Sequence, residues 1–537
     1  MRSSDESASW IAGTMASSRG EHYGRVRSLG RRYFKSGLLA AASLVAAGGL
    51  IGGMAGSATS GPSGSWPYPN ADLANNRVAP GSTISSANVA SLRQVWSFKI
   101  TGKAAKGVSV FGSLAATPIV VGGVVYLQDL YANVYALSLA SGKLKWEYRL
   151  NSPLPSLGPD GVAVEGGVVY GDSPTTAFAL SAATGKPLWV DRHLLRKSQG
   201  TFGIQPQVAG GRVYLASAFG KSSHGGVLLA LNASDGAVIW KFSTLRHTHP
   251  GVFVAGGAWE TPLVGTDGSV TYGTGNPYQS AASAIQHPST LAYTDSDVNL
   301  AAATGKLRWY YQGVPDDFKD YDMQTSPVAA TVGRIPAVIG SGKMGVVYAM
   351  NAATGALLWK TPVGRHNGHG RDSLQALHHR NKLKAPFTYE PGSLGGVLSN
   401  LAVAGGSVYV ATVDDPFRFT SLRQVAGANV ASVHTRATGE IEALSLATGK
   451  VEWDTKFPQM PLGGATVSNN LVFTTLYSGV LVALNRYTGA VVYRHALPTS
   501  DNSTIAIAGN TVLVPAGGPK LGLHGGGHPQ LVAYAIP

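Results

Sequence analysis

Short apolar runs alternate with glycine-rich polar turns from residue 60 to the C-terminus, and one eleven-residue phrase punctuates them seven times. It reads ALSLASGKLKW ending at Trp146, ALSAATGKPLW at Trp189, ALNASDGAVIW at Trp240 and NLAAATGKLRW at Trp309. It continues as AMNAATGALLW at Trp359, ALSLATGKVEW at Trp453 and ALNRYTGAVVY at Tyr493. Around the first copy, Val120, Val121, Val124, Val125 and Tyr126 flank a Gly122-Gly123 turn, which predicts a hairpin. A second turn over 127–130, a third strand over 132–137, a turn at Ser141-Gly142 and a fourth strand over 144–148 complete a four-stranded antiparallel meander. A chain that repeats one such unit is an array whose units bury one another.

The turn glycines fall at 142, 185, 236, 305, 355, 449 and 489, in steps of 43, 51, 69, 50, 94 and 40 residues. Units of roughly 40–50 residues predict the blades of a β-propeller. The two long steps require insertions, which in repeat proteins map to functional loops. LRQVWSFKI (92–100) carries Trp96 without three preceding strands, while TIAIAGNTVLVPAGG and QLVAYAIP at the C-terminus lack a closing Trp. Joined, they make an eighth blade; if the ends do not meet, seven remain. The closing Trp of each unit is expected to wedge between neighbouring sheets. Burial of about 150–250 Å² per ring gives an upper bound of roughly 4–6 kcal/mol.

The first 58 residues break this pattern. Arg31-Arg32 precedes the apolar run Leu38 to Ile51, and Gly56-Ser57-Ala58 offers small residues for cleavage. This predicts a twin-arginine-like export signal over 1–58, a linker over 59–65 and the propeller over 66–537. The Ala/Gly-rich run is weak as a permanent span, so no stable membrane span is expected after signal removal. The expected location is the periplasm or cell surface. The chain carries a net charge of +14, of which the first 58 residues hold +4. The rest is dispersed, which argues against nucleic acid as a partner. With no cysteine in 537 residues, disulfides, thiolate metal sites and covalently attached c-type haem are excluded.

The repeat AxxxxTGKxxW resembles the tryptophan-docking motif of the quinoproteins, the pyrroloquinoline quinone (PQQ) dehydrogenases and their relatives. WPYPNADLANNRVAP, ISSANVASLRQVW, GGAWETP (256–262), YGTGNP (272–277) and VPDDFKDYD (314–322) look like the PQQ alcohol dehydrogenases over 66–537. The resemblance implies an eight-bladed propeller and the oxidation of an alcohol or polyol. It further implies PQQ and calcium as cofactors, and a cytochrome c or quinone as external electron acceptor. By this likeness Trp259 stacks on the quinone ring, Asn276 supplies an oxygen to calcium and Lys343 reaches the quinone oxygens.

Four positions depart from the family pattern. Lys221 falls where the family has a calcium-binding glutamate, Ala115 replaces a second glutamate, Asp160 replaces an arginine and Thr290 stands at the catalytic aspartate. Asp295 or Asp297 could substitute as base. The departures keep open a non-catalytic propeller acting as a binding or envelope-assembly scaffold. Asp316, Asp317, Asp320 and Asp322 in DDFKDYD look like a cation site, but spacing on an irregular loop does not establish one, and they read rather as a solvated acidic loop. The histidines at 247, 249, 378, 379, 524 and 528 show no zinc spacing and read as surface residues.

Overall fold

The computed structural model describes residues 64–537, apart from 103–111, 153–155, 157, 219–224, 246–251, 253–255, 380–381, 428–436 and 519–527. The export signal, Lys221, His247, His249 and His524 therefore lie outside the described residues.

Eight antiparallel sheets account for the array, seven of four strands and one with an extra short strand. In the first, Ile119–Val121, Val124–Gln128, Val134–Ser138 and Leu144–Tyr148 pair in chain order. The second strand runs on to Gln128, so the turn after it lies two residues later than its sequence pattern suggests. The eighth sheet settles the blade number. Ala506–Ala508, Thr511–Ala516 and Gln530–Ala535 are completed by Arg93–Lys99, with Phe98 opposite Leu531 and Arg93 opposite Ala535. The chain ends meet, so the ring closes on itself and no blade is left half-built.

First strands of successive blades lie side by side around the axis. Second and third strands are buried on both faces, whereas the fourth is largely exposed. Each closing Trp on a fourth strand reaches into the next blade. The indole N–H of Trp96 donates to Leu139 O at 2.8 Å, Trp146 to Ala182 O at 2.8 Å and Trp309 to Ala352 O at 2.8 Å. Trp189, Trp240, Trp359 and Trp453 repeat the contact with Ala233, Ala302, Leu446 and Arg486. The ring lies flat on the turn glycine of that neighbour. At Gly355 (φ 72°) a Cβ would fall 2.7 Å from Trp309 Cε3, so glycine is required both by its backbone conformation and by the indole above it. At the last junction Tyr493 replaces Trp, and its hydroxyl reaches Leu92 O at 3.4 Å.

The segment Trp66 to Ala79 crosses the axis. Its backbone pairs with Val120 of the first blade, Ala329 of the fifth, Val403 of the sixth and Val467 of the seventh. Arg77 pins it. This fully buried guanidinium donates to Ala465 O (2.9 Å), Ile505 O (2.8 Å), Asn70 Oδ1 (2.8 Å) and Thr466 Oγ1 (2.7 Å). It also lies 5.4 Å from the ring of Trp66. Asn75 and Arg77 satisfy backbone carbonyls of the surrounding blades, and Asn70 links them to Ser326 and Asn400.

The insertions behind the two long steps fall at one end of the ring. Their described parts comprise 274–295 in the fourth blade, 363–379 and 382–401 before the sixth and 415–427 within it. They carry the short helices Ala281–Gln286 and Asp372–His378 and the strand pair Phe387–Tyr389 with Phe417–Phe419. Ala281, Phe318, Tyr321, Ala376, Tyr389 and Phe419 share one apolar cluster, so the insertions form a packed cap rather than separate loops.

Candidate functional site

In a meander that starts at the axis, the residues just before each innermost strand face the central channel at the same end. All eight blades use this position to line one cavity of about 210 Å³: Thr117, Pro159, Gln205, Glu260, Gln324, Asn400, Leu462 and Thr504. The loops between second and third strands add Tyr278, Lys343, Asp415 and Tyr477. The cap insertions border the same end, and the segment held by Arg77 lies beneath, through Asn70 and Asn400.

Trp259 and Lys343 both line this cavity, and Asn276 lies next to them. Trp259 is half-buried, and its ring lies against Gly275, where a Cβ would fall 2.6 Å from Trp259 Cη2. Glycine before Asn276 is thus what lets the indole close on the loop. Asn276 is buried; its Nδ2 donates to Asp320 Oδ1 (2.6 Å) and Asp322 Oδ1 (2.7 Å), and its backbone N to Asp322 Oδ1 (2.8 Å). The same two carboxylates hold Lys343, whose Nζ lies 2.9 Å from Asp320 Oδ2 and 2.6 Å from Asp322 Oδ2. Burial pushes the Asp320 carboxyl up, against the pull of the Lys343 ammonium. Asp320 and Asp322 together hold the Lys343 ammonium firmly protonated, against its burial.

The DDFKDYD stretch is therefore not a solvated acidic loop. Asp316, Asp317, Asp320 and Asp322 are all buried beneath the cap, as is Lys319. Asp317 accepts the backbone N–H groups of Lys319 (3.0 Å) and Tyr321 (2.9 Å), Gln279 reaches Asp316 at 3.0 Å, and Lys319 pairs with Asp372 at 3.2 Å. Four carboxyls can be buried because backbone amides and two buried ammonium groups answer them.

The loop 274–295 holds Tyr278 (φ 41°), Leu291 (φ 44°), Tyr293 (φ 74°) and Asp295 (φ 48°) in the left-handed region. Such conformations cost about 1–3 kcal/mol each and persist where the surroundings over-determine them. The strain falls on the loop that carries Asn276 and presents Tyr278 to the cavity.

The candidate bases lie elsewhere. Asp295 is fully buried with both carboxyl oxygens lacking hydrogen-bond partners; burial first, then Asp317 and Asp322, push it well above the carboxylate range. Asp297 is likewise buried, on the strand Ser296–Ala301, and burial pushes it up to about 8. Neither lines the cavity. Thr290 is exposed, with its backbone oxygen taken by Gln312 Nε2 at 2.6 Å. Ala115 lines the cavity. Asp160 and Asp172 are both buried; burial pushes both carboxyls up, and the Asp160 charge raises Asp172 further. His378, His379 and His528 are exposed.

A further lining residue escapes the motif reading. Glu260 follows Trp259, and its Oε2 accepts Asn400 Nδ2 at 3.0 Å. Burial pushes it up to about 8, partly offset by Asn400 and the Arg77 charge. Its position just before an innermost strand is the signal that marks it as a channel residue.

Two family models match the chain. One is described as the β-propeller domain of glucose, ethanol and alcohol dehydrogenases and matches residues 66–156 and 255–366. The other is described as outer membrane protein assembly factor BamB and matches 155–258 and 437–532. The quinoprotein alcohol dehydrogenase PedH of Pseudomonas putida KT2440 is 23% identical over 480 residues, 78% of this chain and 79% of that protein. A polyvinylalcohol dehydrogenase of Pseudomonas sp is 23% identical over 495 residues, 82% of this chain and 69% of that protein. The structure of quinohemoprotein alcohol dehydrogenase ADHIIG from Pseudomonas putida HK5 superposes with a TM-score of 0.75 at 20% identity. The match covers 88% of this chain and 80% of that one. The chain is a PQQ-type β-propeller, distantly related to the quinoprotein alcohol dehydrogenases.

The cavity fits one of the two cofactors the sequence resemblance implies better than the other. A partly buried indole and an ammonium that line one cavity suit a planar, anionic quinone. Calcium needs six to eight oxygen ligands. Among the described residues no group of three or more His, Asp or Glu could hold a metal ion, and Asn276 is committed to Asp320 and Asp322. The residues described here do not make a calcium site.

Proposed function

We propose that this protein is an exported quinoprotein-type oxidoreductase that binds PQQ in the axial cavity and oxidises an alcohol or polyol. It would pass electrons to an external acceptor such as a cytochrome c or a quinone. The observation that carries the reading is the convergence of Trp259 and Lys343 on a cavity to which every blade contributes. When bound, the quinone supplies a two-electron acceptor. Trp259 offers its face to the ring. Lys343, kept charged by Asp320 and Asp322, offers a cation to its oxygens.

The expected result is that PQQ quenches Trp259 fluorescence saturably, that Trp259→Phe removes most of the quench, and that the loaded protein reduces an artificial dye with primary alcohols. A linear, non-saturating quench with no dye reduction would contradict the reading.

A second reading is a binding scaffold without redox chemistry. It is favoured by the calcium misfit and by the Asp160–Asp172 pair, which offers no positive charge to an anionic ligand. Saturable capture of an envelope protein by the quinone-free chain, without quinone binding, would favour it.

A further inference from the structure

If the cavity oxidises an alcohol, some group must take the hydroxyl proton as the carbinol hydride leaves. Thr290 is at the surface and carries no base, and the buried carboxyls of Asp295 and Asp297 do not line the cavity. Two carboxylates do line it, Glu260 and Asp415, and Glu260 is the one joined directly to Trp259.

We propose that Glu260 is the proton-accepting catalytic residue of this cavity, an inference that rests on the oxidoreductase reading above. It follows Trp259 in sequence and lines the same cavity as the indole. Its orientation is fixed from two blades: Asn400 Nδ2 holds Oε2 at 3.0 Å, and Asn400 is itself held by the backbone N–H of Ser326 at 2.8 Å. Arg77 is the charged group that faces Glu260. Its guanidinium is spent on Ala465 O, Ile505 O, Asn70 Oδ1 and Thr466 Oγ1. Arg77 therefore moderates the carboxyl without locking it into an ion pair.

The chemistry balances. The carboxylate takes the O–H proton of a primary or secondary alcohol. The carbinol C–H bond breaks with its electron pair, delivering hydride to an ortho-quinone on Trp259. The alcohol becomes an aldehyde or ketone, the quinone is reduced by two electrons, and the proton on Glu260 leaves to solvent through the cavity. Because burial raises the carboxyl to about 8, the basic form is populated only as pH rises through that value, and turnover rises with it.

The test compares the full-length protein with E260Q, which keeps an acceptor for Asn400, and with D415N. Infrared difference spectra of the quinone-free proteins report the carboxyl directly, and PQQ quenching and alcohol–dye turnover are measured across pH. The expected result is a protonated-carboxyl component bleaching near pH 8 that wild type has and E260Q lacks, seen in the wild-type minus E260Q difference because Asp297 and Asp160 contribute to both proteins. E260Q should bind PQQ with wild-type affinity and lose about 10²–10⁴-fold in turnover, along with the rise through pH 8. Turnover by E260Q at the wild-type rate and pH profile overturns the assignment alone, as does loss confined to D415N. Failure of the wild type to bind PQQ sinks the oxidoreductase reading and this assignment with it.

Discussion

Replacing Trp309 by alanine is expected to destabilise the propeller by about 3–5 kcal/mol, the range for truncating a buried aromatic. The ring is only 6% exposed, donates to Ala352 O at 2.8 Å and covers Gly355 of the next blade. Its removal leaves a buried carbonyl without a donor and a cavity between two sheets. In a closed ring that loss falls on an interface whose two sides are also joined the long way round, so unfolding should lose cooperativity as well as midpoint. Trp359→Ala makes the control: that ring is half-buried with a longer bond to Leu446 O at 3.0 Å, and its loss should be smaller. Urea unfolding followed by circular dichroism measures both. Equal losses, or a Trp309→Ala loss below about 1 kcal/mol, would contradict the packing argument.

Arg77→Met should be comparably severe. It removes charge-assisted bonds to four acceptors while leaving Ala465 O, Ile505 O and Asn70 Oδ1 buried. Burial pulls the guanidinium down to about 9, so the charge is held at a cost and its bonds must exceed that cost. The expected loss is about 3–5 kcal/mol, concentrated in the axial segment. Limited proteolysis should then cut between 64 and 84 while the blades resist. Losing the Arg77 charge should also move the Glu260 midpoint above 8, since that charge is one of the influences holding it down. Uniform destabilisation with no new cleavage in that segment would show that the strap is held by its backbone pairing instead.

Both predictions draw on parts of the molecule that differ in legibility. The blades could be read from the chain because each repeats the same contact: a turn glycine in the left-handed region and, one blade earlier, an indole that lies on it. Closure was legible because Trp96 stands at the N-terminal end of the ring without its three partner strands. The buried acidic stretch was not. The packing around Asp317, Asp320 and Lys319 comes from helices and strands at 281–286, 372–378, 387–389 and 417–419, which lie far away in sequence and follow no repeat. A hydrophilic loop and a buried charge network have the same composition until those partners are known. Trp259 and Lys343 were found through their motifs and do line the axial cavity. Glu260 lies outside the family motif positions, but its placement just before an innermost strand follows from the blade pattern alone. Arg77, one polar residue in NNRVAP, gives no local sign that its guanidinium joins the seventh and eighth blades.

The most direct test is a crystal structure of the protein grown with PQQ. The expected result is a quinone ring stacked on Trp259 within the axial cavity, with Lys343 Nζ at hydrogen-bond distance from its oxygens and the Glu260 carboxyl at its edge. A cavity that stays empty at saturating PQQ, or a quinone bound outside it while Lys343 remains closed on Asp320 and Asp322, would contradict the account.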